Sequence, residues 1–186
     1  MRDLAESLIE LLTNSLEAHA SFIEDKLSMN ERTELCIEDN GHGIEQDRLS
    51  DITSPFSTSR ITRDLGFGLA FFKQAITQAE GHLDIQSIRH RGTLIKASYN
   101  HHHIDAMHLG NIGESIALIL HRSPDLDLIF TLQKSSSIQT FRSREIKEVL
   151  FPLTLNEPEI QKWIEAYINS FFDMKGKAYE KFRRIE

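Results

Sequence analysis

Hydrophobic and polar positions alternate along the chain with a spacing that changes several times. Leucines recur at helical spacing over residues 3–18, which predicts an amphipathic helix. Residues 21–28 and 33–38 alternate like strands, and the polar segment MNER between them predicts a hairpin. LAFFKQAITQA predicts a second helix, and HLDIQSI and TLIKASY predict a second hairpin. Because helices and hairpins are segregated in this way, residues 1–100 are predicted to form a two-layer α+β sandwich.

Residues 101–186 are predicted to form a second, smaller α+β module. NIGESIALIL predicts a helix, DLIFTLQK and IQTFR a hairpin, and REIKEVL another helix. The last predicted helix, EPEIQKWIEAYINSFFDM, carries an apolar stripe that we interpret as core, with a partner-binding surface as the alternative. The stripe consists of Ile160, Trp163, Ile164, Tyr167, Ile168 and Phe171.

Charge and composition argue against several classes of protein. Residues 1–100 contain 10 Lys or Arg and 16 Asp or Glu, so most of the net charge of −7 lies there. This argues against nucleic acid as the main partner, because phosphate backbones require a basic surface. No run approaches the ~20 apolar residues of a membrane span, and the N-terminus lacks a signal-peptide pattern. Cys36 is the one cysteine and cannot form an internal disulfide, which favours a cytoplasmic location.

Two polar residues of the first helix are candidates for chemistry. Glu10 and Asn14 are four residues apart and therefore share a helix face. A carboxylate and an amide in this arrangement could hold Mg²⁺ and an attacking water, since Mg²⁺ prefers oxygen ligands. The alternative is that both residues belong to a solvated face of the helix.

A second candidate site follows the strand that contains Cys36. Asp39 ends this apolar run, and Gly41 and Gly43 follow it. A buried carboxylate there could accept a hydrogen bond from the exocyclic amine of adenine, and the glycines would let the backbone approach a ligand closely. Thr93, at the start of a later strand, could complete such a site with its hydroxyl. The alternatives are an ordinary turn and an ordinary strand start.

Two further groups of residues could bind a ligand, a pair of glycines for phosphate and a histidine segment for metal. Gly66 and Gly68 stand where a polar loop becomes a helix, and free N–H groups at a helix N-terminus suit phosphate oxygens. Lys73 on the same helix could add positive charge. The histidines of 101–103, with nearby acidic and histidine residues, could bind metal. A polar linker is the alternative interpretation of this histidine segment.

The order of these motifs resembles the GHKL ATPase superfamily, over roughly residues 1–100. ELLTN resembles the N-box, DNGHGI the G1 box, SPFSTSR the F-box, and GFGLAFFK the histidine-kinase form of the G2 box. The superfamily includes sensor histidine kinases, anti-sigma-factor serine kinases, gyrase, Hsp90 and MutL proteins. The resemblance implies the Bergerat ATP-binding fold, with ATP and Mg²⁺ as cofactors.

The resemblance also implies roles for individual residues. Asn14 would contact Mg²⁺ on the ATP phosphates, and Glu10 would be the general base. Asp39 would bind the adenine amine, with Thr93 on the adenine side. Phe56 would be the hinge of a lid, and either Arg60 or Arg63 would reach the phosphates from it. The nucleotide would further be bound by Gly41, Gly43, Ile44, Gly66, Gly68, Leu69 and Lys73.

Three functions are compatible with this pattern. The first is an ATPase that hydrolyses Mg-ATP and regulates a protein partner, which the carboxylate at Glu10 favours. The second is a protein kinase that phosphorylates a Ser or His of a partner, which the kinase-like G2 box favours. The third is a nucleotide-responsive binding module without turnover, which the short predicted lid at 57–65 favours. Autophosphorylation within this chain is not expected, because no helix pair with a phosphoacceptor histidine precedes the N-box.

Overall fold

The computed structural model describes residues 3–45, 49 and 68–173, which form helices and strands close to those predicted. Within these ranges, no helix combines the length and apolar character that a membrane span requires. In chain order, the elements are α1 (Leu4–Glu17), β1 (Phe22–Met29), β2 (Thr33–Asp39), α2 (Gly68–Gln78), β3 (His82–Ile88), β4 (Gly92–Tyr99), α3 (Ile112–Arg122), β5 (Asp127–Lys134), β6 (Ser137–Arg142), α4 (Ser143–Leu150) and α5 (Pro158–Asn169).

The strands form one six-stranded sheet in the order β3-β4-β2-β1-β5-β6. β1 and β5 are parallel, with Phe22 opposite Asp127, and the other neighbouring strands are antiparallel. The predicted α+β sandwich is therefore confirmed. The proposed domain boundary near residue 100 stays a prediction, although the hydrogen-bonded sheet continues across it.

One face of the sheet is buried beneath helices, and the other is largely polar. In β2, Leu35, Ile37 and Asp39 are buried, whereas Glu34 and Glu38, at alternate positions, are exposed. This alternation follows from the period of two in a strand. The buried residues of α1, mostly leucines, pack in the same core as the inward side chains of the strands.

The Asp3 side chain begins α1 as its N-cap, because it accepts a hydrogen bond of 2.8 Å from the Glu6 N–H. The segment before α3 is hydrogen-bonded to this end of α1, since the Leu4 N–H donates to the His108 carbonyl at 2.8 Å. Ser115 of α3 also donates to the Ala5 carbonyl at 2.9 Å. These contacts join the second half of the chain to α1 directly.

The apolar stripe of α5 is part of the core, as predicted. Ile160, Ile164, Ile168 and Phe171 are buried, and α5 packs against α3. Trp163 and Tyr167 are partly buried against the same core and stack on each other, with ring centroids 5.0 Å apart. The stripe therefore stabilises the packing of the second half.

Two of the histidines of 101–103 make hydrogen-bonding contacts, one to Thr33 of β2 and one within the segment itself. His101 Nδ1 lies 3.3 Å from Thr33 Oγ1, and the Asp105 N–H donates to His103 Nδ1 at 3.1 Å. Among residues 3–45, 49 and 68–173, no group of three or more His, Cys, Asp or Glu is arranged to hold a metal ion. The polar-linker interpretation of this segment stays a prediction.

A second carboxyl group, besides that of Asp39, is buried in the sheet. Asp25 lies in the middle of β1 and is completely inaccessible to solvent, between Ile37 of β2 and Phe130 of β5 in the strand register. Within the described part of the chain, neither of its oxygens has a hydrogen-bond partner. Burial raises the pKa of this carboxyl group to about 8.

Candidate functional site

A cavity of about 500 Å³ lies between the second half of α1 and the ends of β2 and β4. This volume is within the usual range for small-molecule sites. The cavity brings together six of the residues predicted from the sequence, namely Asn14, Asp39, Gly43, Ile44, Leu69 and Thr93. Its other lining residues are Leu11, Ser15, Glu17, Ala18, His42, Glu45, Ile85, Arg89, His90 and Ile95.

Asp39 is the last residue of β2 and lies at one wall of the cavity with 7% of its surface exposed. Ser15 Oγ of α1 donates a hydrogen bond of 2.8 Å to Oδ2, and the Gly41 N–H donates one of 2.8 Å to Oδ1. Thr93 is the register partner of Asp39 on β4. The two residues therefore present a carboxylate and a hydroxyl to the same cavity.

The two glycines of the G1-like motif allow close packing within the protein. A Cβ at Gly41 would lie 2.8 Å from the Ala18 carbonyl oxygen, so a side chain there would collide with the end of α1. Gly43 has a φ of +67°, which favours glycine, and a Cβ there would overlap the Ile88 carbonyl. The segment after β2 is thus pressed between α1 and the β3–β4 turn, where Gly43 and Ile44 also line the cavity.

Ser87 connects three segments around the cavity, and sequence reasoning did not identify it. Its Oγ accepts a hydrogen bond from the Ile44 N–H at 2.8 Å and donates one to the Gly92 carbonyl at 3.0 Å. The same oxygen lies 2.9 Å from Thr93 Oγ1. The available signal was a serine at an inward position of β3, where Ile85 precedes it on the same face.

Glu10 and Asn14 lie close to the start of α2. Asn14 lines the cavity, whereas Glu10, one turn earlier on α1, is not among the lining residues. The Glu10 carboxylate lies directly against Gly68, because a Cβ at that glycine would overlap Glu10 Oε2. Gly68 is therefore the residue that lets the first turn of α2 approach this carboxylate.

The remaining predicted residues are distributed as follows. Lys73 is partly buried on α2 and is not among the residues that line the cavity. Phe56, Arg60, Arg63 and Gly66 lie outside the described residues, so their roles stay predictions.

The cavity mouth carries charges of both signs. Arg89 Nη1 forms an ion pair of 2.8 Å with Glu45 Oε1, and both side chains are exposed to solvent.

The His42 backbone is anchored on both sides, because its N–H donates to the Ala18 carbonyl at 2.9 Å and its carbonyl accepts from the His90 N–H at 2.7 Å. These contacts hold the segment after β2 against the β3–β4 turn.

Comparison with known proteins gives a family match and matches to individual proteins. Residues 2–101 match the family model described as "Histidine kinase-, DNA gyrase B-, and HSP90-like ATPase". Over 100 residues, the chain is 32% identical to a "Putative sensor protein" from Shewanella frigidimarina. That match covers 51% of this chain and 15% of the Shewanella protein, so the chain corresponds to a small part of that relative.

Two solved structures are similar over most of the chain. The N-terminal domain of a DNA repair protein matches with a TM-score of 0.52 and 13% identity, over 76% of this chain and 52% of that one. The Aquifex aeolicus MutL ATPase domain complexed with ADP matches with a TM-score of 0.45 and 14% identity, over 80% of this chain and 69% of that one. At 13% identity, the first of these similarities concerns the fold alone.

Proposed function

Since the chain belongs to the family of histidine kinase-, DNA gyrase B- and HSP90-like ATPases, we propose that it binds Mg-ATP in the cavity between α1 and the sheet. The observation that carries this proposal is the placement of Asp39 and Thr93 together at the cavity wall. We further propose that the protein hydrolyses the bound ATP in the cytoplasm and thereby regulates a protein partner.

Asp39 is suited to bind the exocyclic amine of adenine. Each of its oxygens already accepts one hydrogen bond, from Ser15 and Gly41 respectively, and each can accept another. An amine with two N–H groups complements acceptors of this kind, and the two existing bonds keep the carboxylate in one orientation. The apolar side chains of Leu11, Ile85 and Ile95 would contact the faces of the base.

The phosphates and the metal would lie near the start of α2. Free N–H groups in the first turn of a helix favour phosphate, and α2 begins at Gly68 with Leu69 in the cavity wall. Lys73 supplies positive charge from the same helix. Asn14, with its amide oxygen, fits the hard oxygen ligands that Mg²⁺ prefers. When bound, Mg²⁺ would neutralise charge on the phosphate oxygens.

Glu10 is our candidate for the general base. It lies one helical turn before Asn14, and its carboxylate lies directly against Gly68, whose neighbour Leu69 lines the cavity. In hydrolysis, Glu10 would accept a proton from the water that attacks the γ-phosphate. This role requires that Glu10 affect turnover rather than binding of the nucleotide.

Calorimetric titration of Mg-ATP into the wild type and Asp39→Asn tests the binding site. We expect saturable binding by the wild type and a loss of roughly 10- to 150-fold in Asp39→Asn, since a charge-assisted hydrogen bond contributes roughly 1.5–3 kcal/mol. Glu38→Gln is the matched control, because Glu38 is the exposed neighbour on β2. Absence of binding by folded wild type, or equal binding by Asp39→Asn, would overturn the proposal.

Phosphate release by the wild type and Glu10→Ala tests the reaction. We expect Glu10→Ala to bind Mg-ATP and to lose turnover by at least about 100-fold, which is the usual contribution of a general base. Glu6→Ala, one turn earlier and exposed, is the control and should keep full turnover. Binding without turnover by the wild type would indicate a nucleotide-responsive module instead, and transfer of labelled phosphate to another protein would indicate a kinase.

A further inference from the structure

We infer that Ser87 is a positioning residue that sets nucleobase specificity, because it fixes the direction in which the Thr93 hydroxyl points its proton. The inference rests on the proposed binding of ATP and assigns a role to a residue that does not line the cavity. It is carried by three hydrogen-bonding contacts at one buried oxygen atom.

A hydroxyl group has one proton to donate and two lone pairs that accept. The Ile44 N–H can only donate, so it occupies one lone pair of Ser87 Oγ. The Gly92 carbonyl can only accept, so it takes the Ser87 proton. The one remaining position on Ser87 Oγ is a lone pair, 2.9 Å from Thr93 Oγ1. Thr93 must therefore donate its proton to Ser87.

The surroundings of Ser87 prevent this arrangement from reversing easily. Ser87 is 7% exposed, and its two backbone partners belong to different segments, the one after β2 and the start of β4. Rotation of the Ser87 hydroxyl would leave the Gly92 carbonyl without this partner in a buried site, which is costly. The backbone groups of Ile44 and Gly92 therefore set the orientation of the Thr93 hydroxyl, which lines the cavity.

As a consequence, the part of the cavity wall formed by Thr93 and Asp39 offers the ligand only hydrogen-bond acceptors. Thr93 directs its proton away from the ligand and its lone pairs into the cavity, and its register partner Asp39 presents carboxylate oxygens. Adenine offers an amine with two N–H groups to such a wall. Hypoxanthine offers a carbonyl oxygen at the same ring position, and this oxygen would face only acceptors. The arrangement selects ATP over ITP.

Competition binding with ATP and ITP tests this inference through the ratio of their dissociation constants, Kd(ITP)/Kd(ATP). In Ser87→Ala, the Thr93 hydroxyl can turn its proton toward the cavity, so the ratio should fall by about fivefold, the size expected for one hydrogen bond. Ser87→Thr keeps the hydroxyl and should keep the wild-type ratio. In a Thr93→Val background, Ser87→Ala should leave the ratio unchanged. An unaltered ratio in folded Ser87→Ala would overturn the inference.

Thr93→Val provides a test that does not depend on the folding of Ser87→Ala. If Thr93 is an acceptor toward the base, its removal weakens ATP binding more than ITP binding and lowers the ratio. If Thr93 is a donor, its removal weakens ITP binding more and raises the ratio, which contradicts the inference. Thr93→Ser keeps the hydroxyl as the control. Wild-type protein that binds no ATP would defeat both proposals, whereas ATP binding that needs Asp39 together with a raised ratio would defeat this one alone.

Discussion

Asp25 and Asp39 lie on neighbouring strands and face the same side of the sheet, but their surroundings are opposite. Asp39 ends β2 beside the cavity and accepts hydrogen bonds from Ser15 and Gly41. Asp25 lies in the middle of β1 and has no hydrogen-bond partner among the described residues. The sheet buries both carboxyl groups almost completely, with 0% and 7% of their surfaces exposed. Burial alone therefore does not distinguish a binding residue from a core residue.

The comparison shows what a buried carboxyl group needs in order to act on a ligand. Two donors orient Asp39, and the cavity leaves its remaining lone pairs accessible. Asp25 has neither feature, and its raised pKa of about 8 means that it is protonated in the folded protein at neutral pH. A neutral, enclosed carboxyl group contributes a cost to folding rather than an interaction with a ligand.

Asp25→Asn gives the largest effect that we expect from this comparison. Between pH 4 and 8, the unfolded chain has lost the Asp25 proton and the folded chain keeps it, so rising pH destabilises the wild type by about 1.4 kcal/mol per pH unit. Asparagine does not ionise, so the variant should match the wild type near pH 4 and exceed its free energy of unfolding by roughly 4 kcal/mol at pH 7. Urea unfolding at both pH values measures this difference.

Glu24→Gln is the control for that experiment. Glu24 precedes Asp25 on β1, points to the other face and pairs with Lys26 at 2.9 Å. Its substitution should change the pH dependence little, because an ion pair that remains partly exposed to solvent contributes little to stability. Identical pH dependence of unfolding in the wild type and Asp25→Asn would show that Asp25 does not have the raised pKa.

Ser15→Ala gives a smaller effect and makes the surroundings of Asp39 more like those of Asp25. The variant removes the donor to Oδ2 and leaves the Gly41 N–H on Oδ1. We expect ATP affinity to fall about fivefold, since one oriented hydrogen bond contributes roughly 1 kcal/mol. Calorimetric titration measures the change, and Ser7→Ala, a buried serine of α1 that bonds at the other end of the helix, is the control. Equal weakening in both variants would mean that α1 packing, and not Asp39 orientation, determines the affinity.

Much of the fold was predictable because its signals are local. β3 and β5 have the bounds that alternation gave, and the leucine spacing of α1 marks its buried face. Sequence analysis did not single out Asp25, although it stands between Ile23 and Leu27 on the inward face of β1. What the sequence could not indicate is that the strand beside β1 would be β5, since parallel pairing over a separation of about 100 residues leaves no local pattern.

The candidate site was predictable where a motif carries the chemistry, as at Asp39 and Asn14. Ser15 and Ser87 were missed because their importance depends on contacts between distant segments: Ser15 on α1 bonds Asp39 on β2, and Ser87 on β3 bonds Ile44 after β2. The glycines illustrate the same limit. Sequence reasoning attributed Gly41 to close approach of a ligand, whereas its close neighbour in the structure is Ala18.

The parallel pairing of β1 with β5 has a practical consequence for dividing the chain into fragments. Residues 101–186 supply β1 with its second hydrogen-bonded neighbour and place α3 against α1. A fragment that ended near residue 100 would leave one side of β1 as an unprotected strand edge, and exposed edges of this kind template aggregation. We expect such a fragment to self-associate as its concentration rises, which light scattering would detect. The segment that defines the family is therefore shorter than the unit whose sheet pairs both sides of β1.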